Sequence, residues 1–356
     1  MTTLQRVQAG LPDRRAAALV TSLPNRQFLT GFRSSAGAVL VTPTDGFFLT
    51  DFRYIEAAEN QITAMPSVRY TRMADTVNEL LAARGIRQVL VEAEGMSVAE
   101  FSRLQREMPD VRLCGDGALD RLLQELRLCK TPEALRQIRQ AQQLTDDGFA
   151  HILEYIRPGR TEREIALELE FFMRRQGAQA VAFDFIVGSG VNASLPHGVP
   201  TDKAVEDGDF VTMDFGAVVD GWHSDMTRTV AVGHADEEQR RVYEVVLEAQ
   251  LRALRTLRAG LPCVEGDAAA RGVIAAAGYG ECFGHSTGHG VGLEIHEQPR
   301  LSPSAGGQVL RAGQVVTVEP GIYLPGKWGV RIEDLVVVTQ DGCENLTRSP
   351  KSLIVL

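Results

Sequence analysis

Three of the seven histidines fall in one stretch, GHSTGHGVGLEIHEQP, from Gly284 to Pro299. His285, His289 and His296 could belong to a metal site, a catalytic loop or a turn rich in glycine. The helical zinc-protease motif is excluded, because HEQPR places Arg300 where H-E-x-x-H needs its second histidine. Glycines at 284, 288, 290 and 292 favour a loop with close backbone approach. From such a loop His289 could enter a cluster of carboxylates as its single nitrogen ligand.

Two acidic hairpins supply the carboxylates. In FVTMDFGAVVDGWHSDMTRTVAV the dipeptide Asp220-Gly221 signals a two-residue turn, which sets Asp214 opposite Thr227. Asp225 then becomes a diagonal neighbour of Asp214 on one face, roughly 7 to 8 Å away. Like charges there repel, and a divalent cation between them is the natural remedy. In VVTVEPGIYLPGKWGVRIEDLVVV, Glu319 and Glu333 face one way if the turn centres near Gly326. Arg331 shares that face and could hold the Glu333 carboxylate, while Asp334 alternates to the other face and is read as structural.

The elements that position these residues repeat. GDFVTMDFG, Gly208 to Gly216, lies on GQVVTVEPG, Gly313 to Gly321, at a shift of 105. His197-Gly-Val-Pro200 corresponds to His296-Glu-Gln-Pro299, and Arg157-Pro-Gly to Arg258-Ala-Gly. Each half reads as a helix pair, a glycine-rich loop and a β-hairpin. Thr131 caps a helix that begins at Pro132 and runs to about Ile156; Thr161 and Glu164 have the capping-box spacing of the next. The strands of both halves are expected to join in one antiparallel sheet covered by helices. A pseudo-two-fold axis would then gather four carboxylates, a charge that matches two divalent ions.

The first third alternates strands, AVLVTP, GFFLT and QVLVEA, with helices such as DTVNELLAARG. It has neither a phosphate-binding glycine loop nor a nucleophile elbow. Two domains follow, an α/β domain over residues 1–127 and an α+β domain over 128–356. A net charge of −9 argues against nucleic acid and anionic membrane as partners. Five scattered cysteines without a C-x-x-C pair point to free thiols in a reducing compartment. With no apolar run of membrane-spanning length, a cytoplasmic protein is expected.

MDFG, SDMTRT, GHxTGHGVGLEIHE, VEPG and RIED occur in that order along residues 131–356. In them the chain resembles the pita-bread metallopeptidases, the family of methionine aminopeptidase, aminopeptidase P and prolidase. NRQFLTGF and FLTDFRY are similar to the N-terminal domain of the branch that cleaves Xaa-Pro bonds, so the resemblance covers essentially the whole chain. It implies a creatinase-like N-terminal domain before a pita-bread domain with a pseudo-two-fold internal repeat. It implies that Asp214, Asp225, His289, Glu319 and Glu333 bind two metals, with Asp225 and Glu333 shared by both. It further implies that His197, His285 and His296 line the substrate site and that the protein is a homodimer.

Hydrolysis of an Xaa-Pro bond by a metal-bridging hydroxide is the activity so implied. Glu319 is expected to shuttle a proton, and His296 to donate to the tetrahedral intermediate. His197, counted with Glu319 and His296 among the catalytic residues, and His285 would flank the proline ring, and Thr227 could touch the water. The donor set suits Mn²⁺, Co²⁺, Zn²⁺ or Fe²⁺ and does not choose among them; Mn²⁺ is the first expectation. A dipeptidase must recognise the carboxylate directly after proline. Arg53 in FLTDFRY is the candidate for that task, with Arg331 nearer the metals but committed to structure. Aminopeptidase P activity on longer peptides is the alternative, and a peptide-binding protein without catalysis is the reading from another class.

Overall fold

The computed structural model describes residues 1–356, which divide into two compact units, Met1–Arg127 and Leu128–Leu356. The first unit holds strands β1 (Ala16–Val20), β2 (Ala38–Val41), β3 (Gly46–Thr50), β4 (Ser67–Arg69), β5 (Gln88–Val91) and β6 (Arg112–Cys114). They form one mixed sheet in the order β4-β3-β2-β1-β5-β6. Helices α1 (Thr3–Ala9), α2 (Leu23–Thr30), α3 (Ile55–Gln61), α4 (Met73–Ala82), α5 (Val98–Glu107) and α6 (Ala118–Leu128) complete it. Both faces of the sheet are apolar. Ala16, Ala18 and Val20 of β1 pack in one cluster, and Ala17 and Leu19 in another. This two-sided burial explains why the strands read as continuous apolar runs.

The second unit opens with α7 (Pro132–Ile152) and α8 (Glu162–Arg175). Thr131 caps the first through the Ala134 N–H, and Thr161 and Glu164 form a reciprocal capping box on the second. Helix α7 ends short of Ile156, because the N–H groups of Glu154 and Tyr155 turn back to the carbonyls three residues earlier. Strands β7 (Ala180–Val181), β8 (Ile186–Ser189), β9 (Phe210–Phe215), β10 (Ala217–Val219), β11 (Trp222–His223) and β12 (Met226–Ala231) follow. A second helix pair, α9 (Glu237–Thr256) and α10 (Cys263–Ala276), begins the other half. Its strands are β13 (Gly288–Gly290), β14 (Glu297–Leu301), β15 (Val315–Val318), β16 (Gly321–Leu324), β17 (Trp328–Arg331), β18 (Asp334–Val338) and β19 (Cys343–Asn345).

Each helix pair covers the strands of its own half. Phe149, Ile165, Leu169 and Met173 pack on Val211, Met213, Phe215 and Val230, whereas Val242, Val246, Ala249 and Ile274 pack on Val316, Val318, Val336 and Val338. The register matches the spacing: Asp214 pairs with Thr227, and the Asp220-Gly221 turn has positive φ at both residues. The antiparallel architecture is present, yet it is not one continuous ladder. Hydrogen bonds divide it into β12-β9-β8, β14-β13-β15-β18-β19, β16-β17 and β11-β10-β7. The division falls at the acids, where Glu319 donates its N–H to Thr287 and Glu333 donates its own to Thr227. At those points strands leave one partner for another, and the acids come to lie between the halves.

Candidate metal centre

Alternation along the strands decides which side chains reach this space. In β9 the odd-numbered residues enter the core under α7 and α8, so Thr212 and Asp214 point the other way. The second hairpin turns at Gly326 and pairs Gly321 with Arg331, a register that places Glu319 level with Glu333. His289 sits in β13 between Gly288 and Gly290. A Cβ on either glycine would lie 2.0 Å from the Thr317 carbonyl or 2.2 Å from that of Gln298, so the backbone approach requires them.

These elements enclose a cavity of about 710 Å³ lined by Asp214, Asp225, His289, Glu319 and Glu333, by His197, His285 and His296, and by Arg331. Ligand atoms of Asp225, His289 and Glu333 lie within 4.8 Å of one another. Burial, and then the neighbouring carboxylates, push Asp225 and Glu333 well above the usual carboxylate range. Burial likewise raises Glu319, although Thr317 donates to its Oε1 at 2.9 Å. Burial holds His289 down to about 4, so the imidazole is neutral. Its Nδ1 faces the Gly290 carbonyl at 3.1 Å and must carry the proton. Nε2 therefore turns a lone pair toward Glu319 at 3.3 Å and Asp225 at 3.5 Å.

Oxygens facing a nitrogen lone pair are relieved by a shared proton or by a cation between them, and a divalent cation can serve several of these ligand atoms at once. A second orphan makes the same point: Asp214 Oδ1 is buried with no hydrogen-bond partner. The donor set, carboxylate oxygens with one imidazole, fits divalent cations.

Arg331 is buried, but Tyr323 and Asp214 beside it raise its pKa further, so it stays charged. The sequence assigns this guanidinium to Glu333; the structure corrects that assignment. Nη2 donates to Asp214 Oδ2 at 2.7 Å, and Nε donates at 3.0 Å to Thr227 Oγ1, which in turn donates to Glu333 Oε2 at 2.7 Å. Thr227 is thus a link between Arg331 and Glu333. Asp334 is buried against Arg228 at 2.8 Å and Lys351 at 2.7 Å, as befits a structural acid.

The three remaining histidines differ from one another. His285 is held at both nitrogens: Nδ1 lies 2.8 Å from the Ser286 carbonyl, so it donates, and Nε2 accepts from Tyr323 at 2.9 Å. Tyr323 also accepts from Arg331 Nη1 at 2.8 Å. His296 meets the His289 ring edge-on at 4.5 Å. Partial burial and His289 hold it near its neutral form, with a pKa lowered to about 4. His197 is exposed on the cavity wall. Arg53 belongs to the first unit, where Nε and Nη2 bind the Asp51 carboxylate, the latter at 2.6 Å.

Sequence reasoning passed over three contributors. Tyr323 follows Glu319 and Gly321 at the strand period, a signal that was available in GIYL. Arg300 shares the alternation of His296 and lines the cavity. Phe183 and Phe185, with Ile186, Pro196 and Val199, form an apolar wall that only the tertiary fold assembles.

The whole chain has known counterparts. The model of metallopeptidase family M24 matches residues 136–340, and that of the creatinase/prolidase N-terminal domain matches residues 4–129. The chain belongs to metallopeptidase family M24. A relative from Pyrococcus horikoshii described as an Xaa-Pro dipeptidase is 36% identical over 95% of this chain and 94% of its own. A solved structure of an Xaa-Pro dipeptidase from Bacillus anthracis is 43% identical, with a TM-score of 0.95 over 99% of both chains. A crystal structure of an X-Pro aminopeptidase from Thermotoga maritima is 37% identical, with a TM-score of 0.90 over 96% of this chain and 97% of that one. Membership makes this protein a metallopeptidase and implies divalent-metal binding, for which Asp225, His289 and Glu333 form a candidate cluster. No helix is long and apolar enough to cross a membrane.

Proposed function

We propose that this metallopeptidase hydrolyses Xaa-Pro bonds, with dipeptides preferred, at a centre holding two divalent ions, Mn²⁺ first among the candidates. The observation that carries the reading is the union, in one cavity, of the carboxylate and imidazole cluster with an apolar wall and an arginine free of ion pairs. Asp214, Asp225, His289, Glu319 and Glu333 would hold the ions. Bound there, the metals supply Lewis-acid polarisation of the scissile carbonyl and acidify the attacking water.

The protein's own groups do the rest. Glu319, whose carboxyl burial keeps protonable, takes a proton and gives it to the proline nitrogen, which departs as an amine. His296, neutral and facing the cavity, donates to the oxygen where charge develops. Proline's ring packs on the apolar wall beside His197 and His285, and its nitrogen asks for no N–H acceptor. The carboxylate that follows proline in a dipeptide meets Arg300, whose guanidinium has no internal partner, in preference to Arg53, which is occupied by Asp51. Small peptides with proline second are thus the partners. The homodimer remains the oligomer implied by the family resemblance.

Hydrolysis of Ala-Pro and Ala-Pro-Ala by the Mn²⁺-loaded protein tests the reading. Cleavage of the dipeptide should dominate; preference for the tripeptide would replace it with aminopeptidase activity. Arg300→Ala should lower kcat/KM for Ala-Pro by roughly 10- to 100-fold, the worth of a charge-assisted contact, and affect the tripeptide far less. If Arg53→Ala shows that selectivity instead, the clamp lies on the first unit.

A further inference from the structure

The rim of the cavity is one irregular segment. Pro196, His197, Gly198, Val199 and Pro200 line it in succession. After β8 the chain makes a single 3₁₀ turn, Gly190–Ser194, and reaches Thr201 without strand or helix. Such a stretch loses more entropy on ordering than its few backbone bonds return. Something else must hold it.

Both of its ends converge on one side chain. Glu162, the first residue of α8, is completely buried. Its Oε1 accepts from the Ser189 N–H at 2.7 Å, from Ser189 Oγ at 2.9 Å and from Asn192 Nδ2 at 3.0 Å. Its Oε2 accepts from the Thr201 N–H at 3.0 Å, from Thr201 Oγ1 at 2.6 Å and from Asn192 at 3.2 Å. Helix capping does not require this acid, since Thr161 and Glu164 already form the box. The carboxylate is directed away from its own helix. It closes the 189–201 loop at entry, at the turn and at exit.

Within the loop only the Pro196 carbonyl is tied toward the metal cluster, through Arg331 Nη1 at 3.2 Å. The His197 ring has no hydrogen bond to fix it, so its place on the wall follows from the backbone that carries it. We propose that Glu162 is a positioning residue for substrate, holding His197 and the apolar rim in register with the metal centre. The proposal rests on the Xaa-Pro reading for its substrate, though not for its geometry. The second half has an analogue, in which Asp267 accepts from the Thr287 N–H at 3.0 Å and Arg271 donates to the His285 carbonyl at 2.7 Å. Both histidine-bearing walls are thus anchored by an acid near the start of a helix.

Glu162→Gln is the sharpest probe. Its amide –NH₂ would confront the N–H of Ser189 or of Thr201, forcing one end of the loop to let go. On the Mn²⁺-loaded protein, KM for Ala-Pro should rise roughly 10-fold or more, the scale of a displaced positioning group, while kcat and metal content change little. In a His197→Ala background the same substitution should have much less effect, because the two act through one wall. Amide hydrogen exchange should quicken about tenfold or more within residues 190–201 and stay unchanged in β9 and α7.

Equal effects in both backgrounds, loss of metal, or exchange raised throughout the unit would overturn the proposal. If Glu162→Gln does not fold, Thr201→Val, which removes the Oγ1 bond at the far end and keeps the N–H bond, takes its place in the same cycle with a smaller expected effect. Should the wild-type protein cleave no Xaa-Pro bond, the substrate reading falls; hydrogen exchange alone then decides Glu162, with a local increase supporting it and none refuting it.

Discussion

The two halves of the second unit carry one plan and execute it differently. In the first half the ladder runs through the acid: Asp214 pairs with Ile186 on one side and Thr227 on the other. In the second, β15 stops at Val318, and Glu319 is followed by Pro320, which has no N–H to offer a neighbouring strand. Where the first half places Phe215 in its core, the second places that proline. Aspartates stand on the half with the continuous ladder, and glutamates, one methylene longer, on the half that opens. Duplication therefore supplied paired acids, and divergence of the backbone set how each reaches the centre.

The comparison can be broken at its acids. Asp225 and Glu333 come from different halves and, with His289, converge most closely, whereas Asp214 is held to the side by Arg331. Glu333→Gln should lower kcat/KM by more than the roughly 100-fold upper range of a lost outer-shell contact, with metal content falling on elemental analysis. Asp214→Asn should retain more metal than Glu333→Gln. Equal metal loss in the two variants would mean that the halves contribute alike.

Arg331 comes next in expected effect. It belongs to the second half, yet it binds the acid of the first and reaches the acid of the second through Thr227. A lysine keeps the charge but lacks the planar fork, so it cannot serve Asp214, Thr227 and Tyr323 together. Arg331→Lys should weaken metal affinity by about 10- to 100-fold, as measured by titration of the apoprotein. An unchanged affinity would reduce the arginine to a counter-charge.

How far the site can be read from sequence follows from the same residues. Period-two alternation and the Asp220-Gly221 turn give the register of the first hairpin, since a two-residue turn leaves no freedom. The duplicated glycines and acids then point to the partner hairpin. What escapes is everything that depends on contacts between halves: the Arg331 bond to Asp214, the apolar wall with Phe183 and Phe185, and the clasp on Glu162. Their partners are separated by many residues and share no period. Helices show the same division, because the caps at Thr131 and Thr161 are local, whereas the end of α7 depends on how its last turn tightens.

Thr227 sharpens the comparison at its smallest scale. It is fully buried, it is the strand partner of Asp214, and its hydroxyl links Arg331 Nε to Glu333 Oε2 through two hydrogen bonds. Valine has nearly the same shape and the same preference for strands, so Thr227→Val should leave the β9–β12 ladder intact. The loss is confined to one donor and one acceptor, each worth about 1 to 3 kcal/mol when left buried and unpaired. Arg331 keeps its direct hold on Asp214, so metal titration should show a decrease smaller than that of Arg331→Lys, concentrated in the weaker binding step. A decrease larger than that of Arg331→Lys would make the threonine, and not the arginine, the element that couples the two halves.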